Sequence, residues 1–297
     1  MRYKLTKDKL IFNLIAYSFL TVFTVCCLLP FLLVISGALS SEQSILEHGY
    51  SLLPRDFSLS AFRMLLAEPT EILQAYGVTI TVTLIGTAAG LLVTAMAAYV
   101  LQRKCFPHRN AFAFFFYFTT IFEGGIVPRY ILMIRYLDMK NNLLALILPL
   151  LINVFYIIII RSSISASLPD SLIESAQMDG AGEFQIFRRI VLPLTKPILA
   201  TIGLFMALEY WNDWFNAMLY IDRVNMVPLQ YFLYKMLSQI TMLRELVARV
   251  PMLTAVTPPE ESFKMAMTLV TIGPILLLYP FVQKYFVSGI MIGAVKG

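Results

Sequence analysis

Apolar positions dominate this chain, and they come in runs rather than in alternation. A helix needs about 20 apolar residues to cross a bilayer core. Six runs qualify: Leu10 to Ile35, Gly77 to Leu101, Ala111 to Val127, Asn142 to Ile160, Ile198 to Ile221 and Met265 to Phe286. Backbone in lipid must satisfy its own hydrogen bonds, and none of these runs alternates as a barrel strand does, so each predicts a helix. Polar stretches at 36–76 and 222–264 separate runs, and "VTPPEE" in the second resists regular structure. Between the third and fourth runs, "EGGIVPRYILMIRYLDMKNN" is short and amphipathic. Gly124, Gly125 and Pro128 break a helix there, and Arg129, Arg135, Asp138 and Lys140 hold the rest near the interface.

Composition sharpens this into a class. Of 297 residues, 59% are hydrophobic and 14% charged, with a mean hydropathy of +0.75. A soluble domain carries about 25% charged residues. The expected fold is therefore all-α integral membrane, a single transmembrane domain over 1–297. The first run is too long for a cleaved signal core and predicts a retained helix. No internal repeat or low-complexity tract is visible.

Charge then sets orientation. With the N-terminus inside, the segments 1–10, 102–110, 161–197 and 282–297 hold 13 basic and 5 acidic residues, and the remainder holds 10 and 13. This positive-inside bias places both termini in the cytoplasm. The net charge of +5 reflects that sorting, so nucleic acid is not an expected partner. Cys26, Cys27 and Cys105 form neither a disulfide framework nor a metal spacing.

The longest polar stretch on the inner side is "ESAQMDGAGEFQIFRRIVLPLTKP", residues 174–197. Pro169 and Asp170 suit a helix start. Asp179-Gly180 suits a stop, because glycine supplies the left-handed conformation. Phe184, Phe187, Ile190 and Val191 recur at helical spacing and predict a second short helix anchored toward the bilayer. Pro193 and Pro197 redirect the chain into the fifth membrane helix. The residues describe a compact helix–turn–helix on the cytoplasmic face; taken alone, a plain connecting loop fits them equally.

The fifth run carries polar residues, and ionisable groups inside a membrane are functional candidates. Glu209, Asp213, Asn216 and Tyr220 fall within one helical face, with Asn212 at its edge. At about 1.5 Å per residue they reach from mid-bilayer to the outer leaflet. Carboxylates, amides and aromatic rings together suit a sugar, which asks for many hydrogen bonds and flat faces. Asn153 and Tyr156 on the fourth helix add to such a path. The competing role for each is interhelical glue, or an interfacial anchor for Trp211 and Trp214. Glu123 belongs at the outer interface. Gly86, Gly90 and Thr94, at four-residue spacing, permit close helix contact.

The stretch 174–197 resembles the coupling-loop motif of membrane subunits from binding-protein-dependent ABC importers. That pattern is Glu-Ala-Ala, three residues to Gly, then a hydrophobic tail with Leu-Pro. Glu174, Ser175 and Ala176 stand at its first positions, Asp179, Gly180 and Ala181 at its centre, and Phe187, Leu192, Pro193 and Pro197 in its tail. Ser175 is the one departure, small for small. "WNDWFNAMLYI" and "GIMIGAVKG" are similar to carbohydrate-uptake members, in particular the shorter permease of maltose and oligosaccharide systems. The resemblance spans about Tyr76 to the end.

This resemblance implies six transmembrane helices, a permease core over 77–290, and a pair of cytoplasmic coupling helices over 168–189 between helices 4 and 5. It implies that Glu174, Ala176, Asp179, Gly180, Ala181, Phe187, Pro193 and Pro197 form the ATPase-coupling element, with Glu174 paired to a basic residue of the ATPase. The implied partners are a second permease, two cytoplasmic ATP-binding subunits and an extracytoplasmic substrate-binding protein, with 222–264 its candidate contact. The closing "GAVKG" reaches toward the ATPase. Lipid surrounds the chain in a bacterial cytoplasmic membrane. No cofactor is expected on this chain: no G-x-x-x-x-G-K-[ST] occurs, so ATP and Mg belong to the partner. The cargo classes to weigh are oligosaccharide, simple sugar, amino acid and phosphate-type anion. An ion-driven carrier should show inverted repeats or broken helices in matched pairs, and the sequence shows neither. An intramembrane enzyme should show cooperating nucleophile and base, but His48 and His108 fall on opposite sides.

Overall fold

A computed structural model describes residues 7–67, 69–249 and 259–276. Helices dominate, and among the described residues the only β pairing is an isolated bridge, Ser40 with Phe57. The chain divides into two compact units, one of Met1–Pro69 with Lys235–Pro274, the other of Thr70–Tyr234 with Ile275–Gly297.

The first unit opens with α1 (Lys7–Ala38). Its membrane-length part, Lys9–Ala38, buries none of its apolar window. A helix of this composition whose apolar window is left exposed by the described residues is stable only where the solvent is itself hydrocarbon. Next come α2 (Glu42–His48) and α3 (Ser60–Leu65). Ala38, Ala61 and Ala266 pack together. Small residues there let three helical stretches approach closely. The buried Glu42 carboxylate accepts the backbone N–H groups of Glu261 (3.0 Å) and Ser262 (2.9 Å), and the Ser262 hydroxyl (2.9 Å). It thereby caps the helix at 260–276 from far away in sequence, satisfying donors that a helix start leaves open. Arg244 and Lys264 brace the same end through Glu260, at 2.6 and 2.9 Å.

The second unit starts with α4 (Pro69–Gln102), a straight apolar crossing of 34 residues. The stripe of small residues in α4 is buried. A side chain added at Gly86 would meet the Tyr210 ring at 2.5–2.7 Å, and one at Gly90 would meet the Leu151 carbonyl at 3.0 Å. Tyr210 donates its hydroxyl to the Ile147 carbonyl at 2.9 Å. Gly86 is thus a seat for an aromatic ring.

Three of the apolar runs are broken helices, the third at the glycine pair already expected to break it and the fourth and fifth against expectation. The third is α5 (Arg109–Ile121), only 13 residues, then α6 (Ile126–Ile131) running into a π-helical turn, Leu132–Tyr136, with a bend of 111°. Gly125, at φ 82°, makes the break. Pro128 sits in the first turn of α6, where a missing N–H costs nothing. The fourth is α7 (Leu144–Ile147) with a 3₁₀ turn Leu148–Leu150, then α8 (Val154–Ser167), bent by 54°. Pro149 lacks the donor that would continue the first piece, and Asn153 Oδ1 starts the second by accepting the Phe155 N–H at 3.0 Å. The fifth ends at Trp211, as described below. Among the described residues, two helices are long and apolar enough to cross a membrane, or up to five if each bent pair is one span. The expected sixth helix is described only to 276, and the "GAVKG" tail lies outside the described residues. Segment 222–264, read as connecting chain, contains the helix α14 (Leu229–Arg249), 21 residues long. Residues 250–258 of this segment lie outside the described residues.

Candidate coupling element and polar cluster

The stretch 169–197 folds as a helix–turn–helix. Pro169, extended at φ −64° and ψ 141°, stands just before α9 (Asp170–Met178). The helix ends in a paired turn: the Gly180 N–H reaches the Gln177 carbonyl (3.0 Å), and the Ala181 N–H reaches the Ala176 carbonyl (2.9 Å). This closure needs a left-handed residue, and Gly180 has φ 83°. Then follow α10 (Glu183–Ile186) and a π-helical turn, Phe187–Val191. Pro193 lies in the short α11 (Leu192–Leu194) and Pro197 in the first turn of α12 (Lys196–Trp211). The chain turns by 82° between them.

The element has a dry base and a wet crown. Ile173, Ile186, Phe187 and Val191 are buried in one core with Ala98, Tyr99 and Leu101 of α4 and Ile160 and Ile164 of α8. Ala176 and Ala181 pack at its edge. Glu174, Asp179 and Gly180 are exposed. Phe184 corrects the expectation that it anchors the second helix: it is 70% exposed. The anchor is Ile186 with Phe187, because the π-helical turn shifts the buried face after Ile186.

One carboxylate, which the sequence did not single out, holds the element together. Glu183 Oε2 accepts the Tyr99 hydroxyl at 2.6 Å. Its Oε1 accepts Arg103 Nη2 at 2.8 Å and Gln177 Nε2 at 2.9 Å. Partial burial works to raise the Glu183 carboxyl, but the hydrogen bonds from Tyr99 and Arg103 outweigh it and hold it below its ordinary value. Lys104 pairs with Asp170 and lowers that carboxyl as well.

The polar residues of the fifth run do not share a helical face. The helix ends at Trp211; the Asn212 side-chain amide turns back to the Leu208 carbonyl at 2.9 Å. Asp213 Oδ1 then accepts the Asn216 N–H at 3.1 Å, starting α13 (Phe215–Tyr220). Short polar side chains that bond the backbone locally end helices, so the residues placed on one face are themselves what interrupts it. Two groups result. Glu209 Oε1 accepts the Tyr156 hydroxyl at 2.6 Å. Asp213 Oδ2 accepts the Asn216 amide at 3.0 Å, and Arg129 acts electrostatically on both Asp213 and Tyr220. In this second group Asn216 Oδ1, the Tyr220 hydroxyl and Arg129 Nε are buried with no hydrogen bond of good geometry among the described residues, and the Tyr220 hydroxyl faces the Arg129 guanidinium. Asn212 pairs instead with Gln230 at 3.1 Å, beside a stack of Trp214 on Tyr234 with centroids 4.8 Å apart. Asn153 stands apart as the cap of α8.

A family model described as binding-protein-dependent transport system inner membrane component matches residues 110–292. The chain belongs to this family. Among its relatives, Protein LplC of Bacillus subtilis (strain 168) is 38% identical, over 98% of this chain and 97% of that protein. The polygalacturonan/rhamnogalacturonan transport system permease protein YtcP of the same organism is 36% identical, over 97% and 99%. A chain in the crystal structure of a bacterial ABC transporter involved in the import of the acidic polysaccharide alginate matches with a TM-score of 0.77 and 30% identity, covering 95% of this chain and 99% of that one.

Family and apolar helices together make this a multi-pass protein of the cytoplasmic membrane and a transport component. The matched region takes in the helix–turn–helix and the polar cluster but begins after α4. Arg129 had been read as an interface anchor and Arg103 only as a cytoplasmic charge. Their partners are distant in sequence, so only the intervals between helices could have pointed to them.

Proposed function

We propose that this chain is a permease subunit of an ATP-driven importer for carbohydrate, with oligosaccharides or polysaccharide fragments as cargo. It acts as one permease domain of six spans with both termini in the cytoplasm. A second permease completes the pathway, two cytoplasmic subunits bind ATP and Mg, and an extracytoplasmic binding protein delivers the sugar, with 222–264 facing it.

The observation that carries this reading is the helix–turn–helix, rooted in the core through Ile173, Ile186 and Phe187 while Glu174 and Asp179 face outward. A rooted protrusion transmits force; a loop held only at its ends does not. Glu174 pairs with a basic group of the ATPase, and Ala176, Gly180 and Ala181 keep the turn tight enough to enter a cleft. Closure of the ATPases on ATP moves the element and with it the membrane helices, a rigid-body change between two states. Sugar passes the cluster of Asp213, Asn216 and Tyr220, where buried polar atoms lack good partners among the described residues; Glu209, Tyr156, Asn212 and Asn153 border the same route. Sugar hydroxyls both donate and accept, which suits orphaned atoms of both kinds. The cargoes named for two of the similar transporters, polygalacturonan/rhamnogalacturonan and alginate, support a polysaccharide-derived substrate.

The test is purification of the chain from its native membrane with its partners, beside a Glu174→Ala, Gly180→Pro variant. An ATPase and a second permease should accompany the natural chain, and the ATPase should be lost from the variant. A chain that emerges alone, or keeps its ATPase despite both changes, removes the coupling reading and favours an ion-driven carrier. Growth on single carbon sources after disruption of the chain separates sugar from amino acid or anion cargo.

A further inference from the structure

We infer that the Glu183 carboxylate, gripped by Tyr99 and Arg103, is a clip that makes α4 move together with the coupling element. The inference rests on the reading of 170–189 as the ATPase dock, and it names the link that carries motion from dock to membrane.

The geometry converges on one side chain. Glu183 belongs to α10, Gln177 to α9, and Tyr99 and Arg103 to the cytoplasmic end of α4. Three hydrogen bonds of 2.6 to 2.9 Å join these three pieces through two oxygens. Apolar packing underneath, including the Tyr99 ring on Phe187 at 5.6 Å, resists separation. It permits sliding, because it has no direction. Charge-assisted hydrogen bonds are directional, and they fix the register that packing leaves open. The Arg103 guanidinium lies over the Tyr99 ring at 5.9 Å, its side chain is only 13% exposed, and its Nε has no partner. Without Glu183, itself half exposed, this partly buried cation loses that ion pair, so the clipped arrangement is preferred.

From the clip, α4 runs about 50 Å at 1.5 Å per residue. On the way it seats Tyr210 against Gly86, and Tyr210 in turn bonds the carbonyl of Ile147, the last residue of α7. Glu209, beside Tyr210, holds Tyr156. A displacement of the dock is therefore delivered to the neighbourhood of the polar cluster through one stiff helix. Glu183 touches neither ATP nor cargo; it is a positioning residue.

The experiment uses the assembled transporter in lipid vesicles, with the native cysteines replaced by serine and a nitroxide on Gln74→Cys, an exposed site near the other end of α4. The spectral change on adding ATP is compared with the rate of ATP hydrolysis. Glu183→Ala should keep the bound ATPase and its hydrolysis while the nucleotide-dependent change at position 74 falls about tenfold, the loss expected for one charged hydrogen-bond link. Arg103→Ala should do the same, and the double variant should be no worse than either single. An unchanged response in Glu183→Ala, additive losses in the double variant, or no response at position 74 in the natural sequence would each overturn the clip. Loss of the ATPase from Glu183→Ala would also overturn it, because Glu183 would then serve the dock itself. Retention of the ATPase by the Glu174→Ala, Gly180→Pro variant instead removes the docking reading, a result that the Glu183 variants do not produce.

Discussion

Gly86→Ala is the smallest change with a large expected consequence. The added methyl would stand 2.5–2.7 Å from three carbons of the Tyr210 ring, about 1 Å inside ordinary carbon–carbon contact. A flexible tip could swing aside. A ring cannot, because it is 3% exposed and anchored by its hydroxyl at the Ile147 carbonyl. Either the ring shifts and loses that bond, or α4 shifts and takes Gly90 away from the Leu151 carbonyl. Overpacking costs about 1–3 kcal/mol, and a buried hydrogen bond adds about 1. Together they give a destabilisation of about 2–4 kcal/mol. Alanine's better helix propensity offsets about 0.5–1 of it. The assay is thermal unfolding of the purified transporter, with Gly77→Ala as control, since a side chain there meets nothing within 4 Å. The control should melt at or slightly above the natural temperature and Gly86→Ala well below it. Adding Tyr210→Leu to Gly86→Ala should recover part of the loss. Equal melting of the two glycine variants would refute the argument that this glycine is a ring seat.

Further outcomes follow from the same geometry. Ile186→Ala empties a fully buried site and should cost about 2–5 kcal/mol, seen as a lower melting temperature, whereas Phe184→Ala should leave melting unchanged and weaken only ATPase capture. Glu42→Ala strips the cap from the helix at 260–276 and leaves two backbone donors and the Ser262 hydroxyl without their acceptor; limited proteolysis should then cut near 259 faster than in the natural chain. The Glu183 and Asp170 carboxyls are both held below their ordinary values, so their ties are complete above the ordinary carboxylate range near pH 4 and weaken only as pH falls through the lowered values. The ratio of transport to ATP hydrolysis should therefore be flat between about pH 6 and 8. A change within that window would point to a different titrating group.

Much of the architecture was legible because the bilayer simplifies the rules. Apolar runs are long and backbone must pair with itself, so the helical membrane class and the place of the helix–turn–helix along the chain follow from local composition. The turn at Gly180 was readable for the same reason, since a left-handed helix stop is a local requirement. Interruptions within runs were harder. Pro149 and Gly125 are visible breakers, yet a membrane tolerates both in a continuous helix when neighbours re-satisfy the backbone. Asn212 and Asp213 were read as lining a helical face, although the same short side chains can end the helix by bonding its backbone. Choosing between those roles requires knowing what surrounds them.

Hydrophobic order along the chain thus determined a multi-pass helical protein with a polar helix pair between two apolar stretches. The tertiary structure alone decided which residues meet. Glu183 lies 80 residues from Arg103, Gly86 far from Tyr210, and Arg129 far from Tyr220. Charge and size are properties of single residues and are written in the sequence. Distance between residues on different helices is a property of packing, and packing selects its partners only when all the helices are present together.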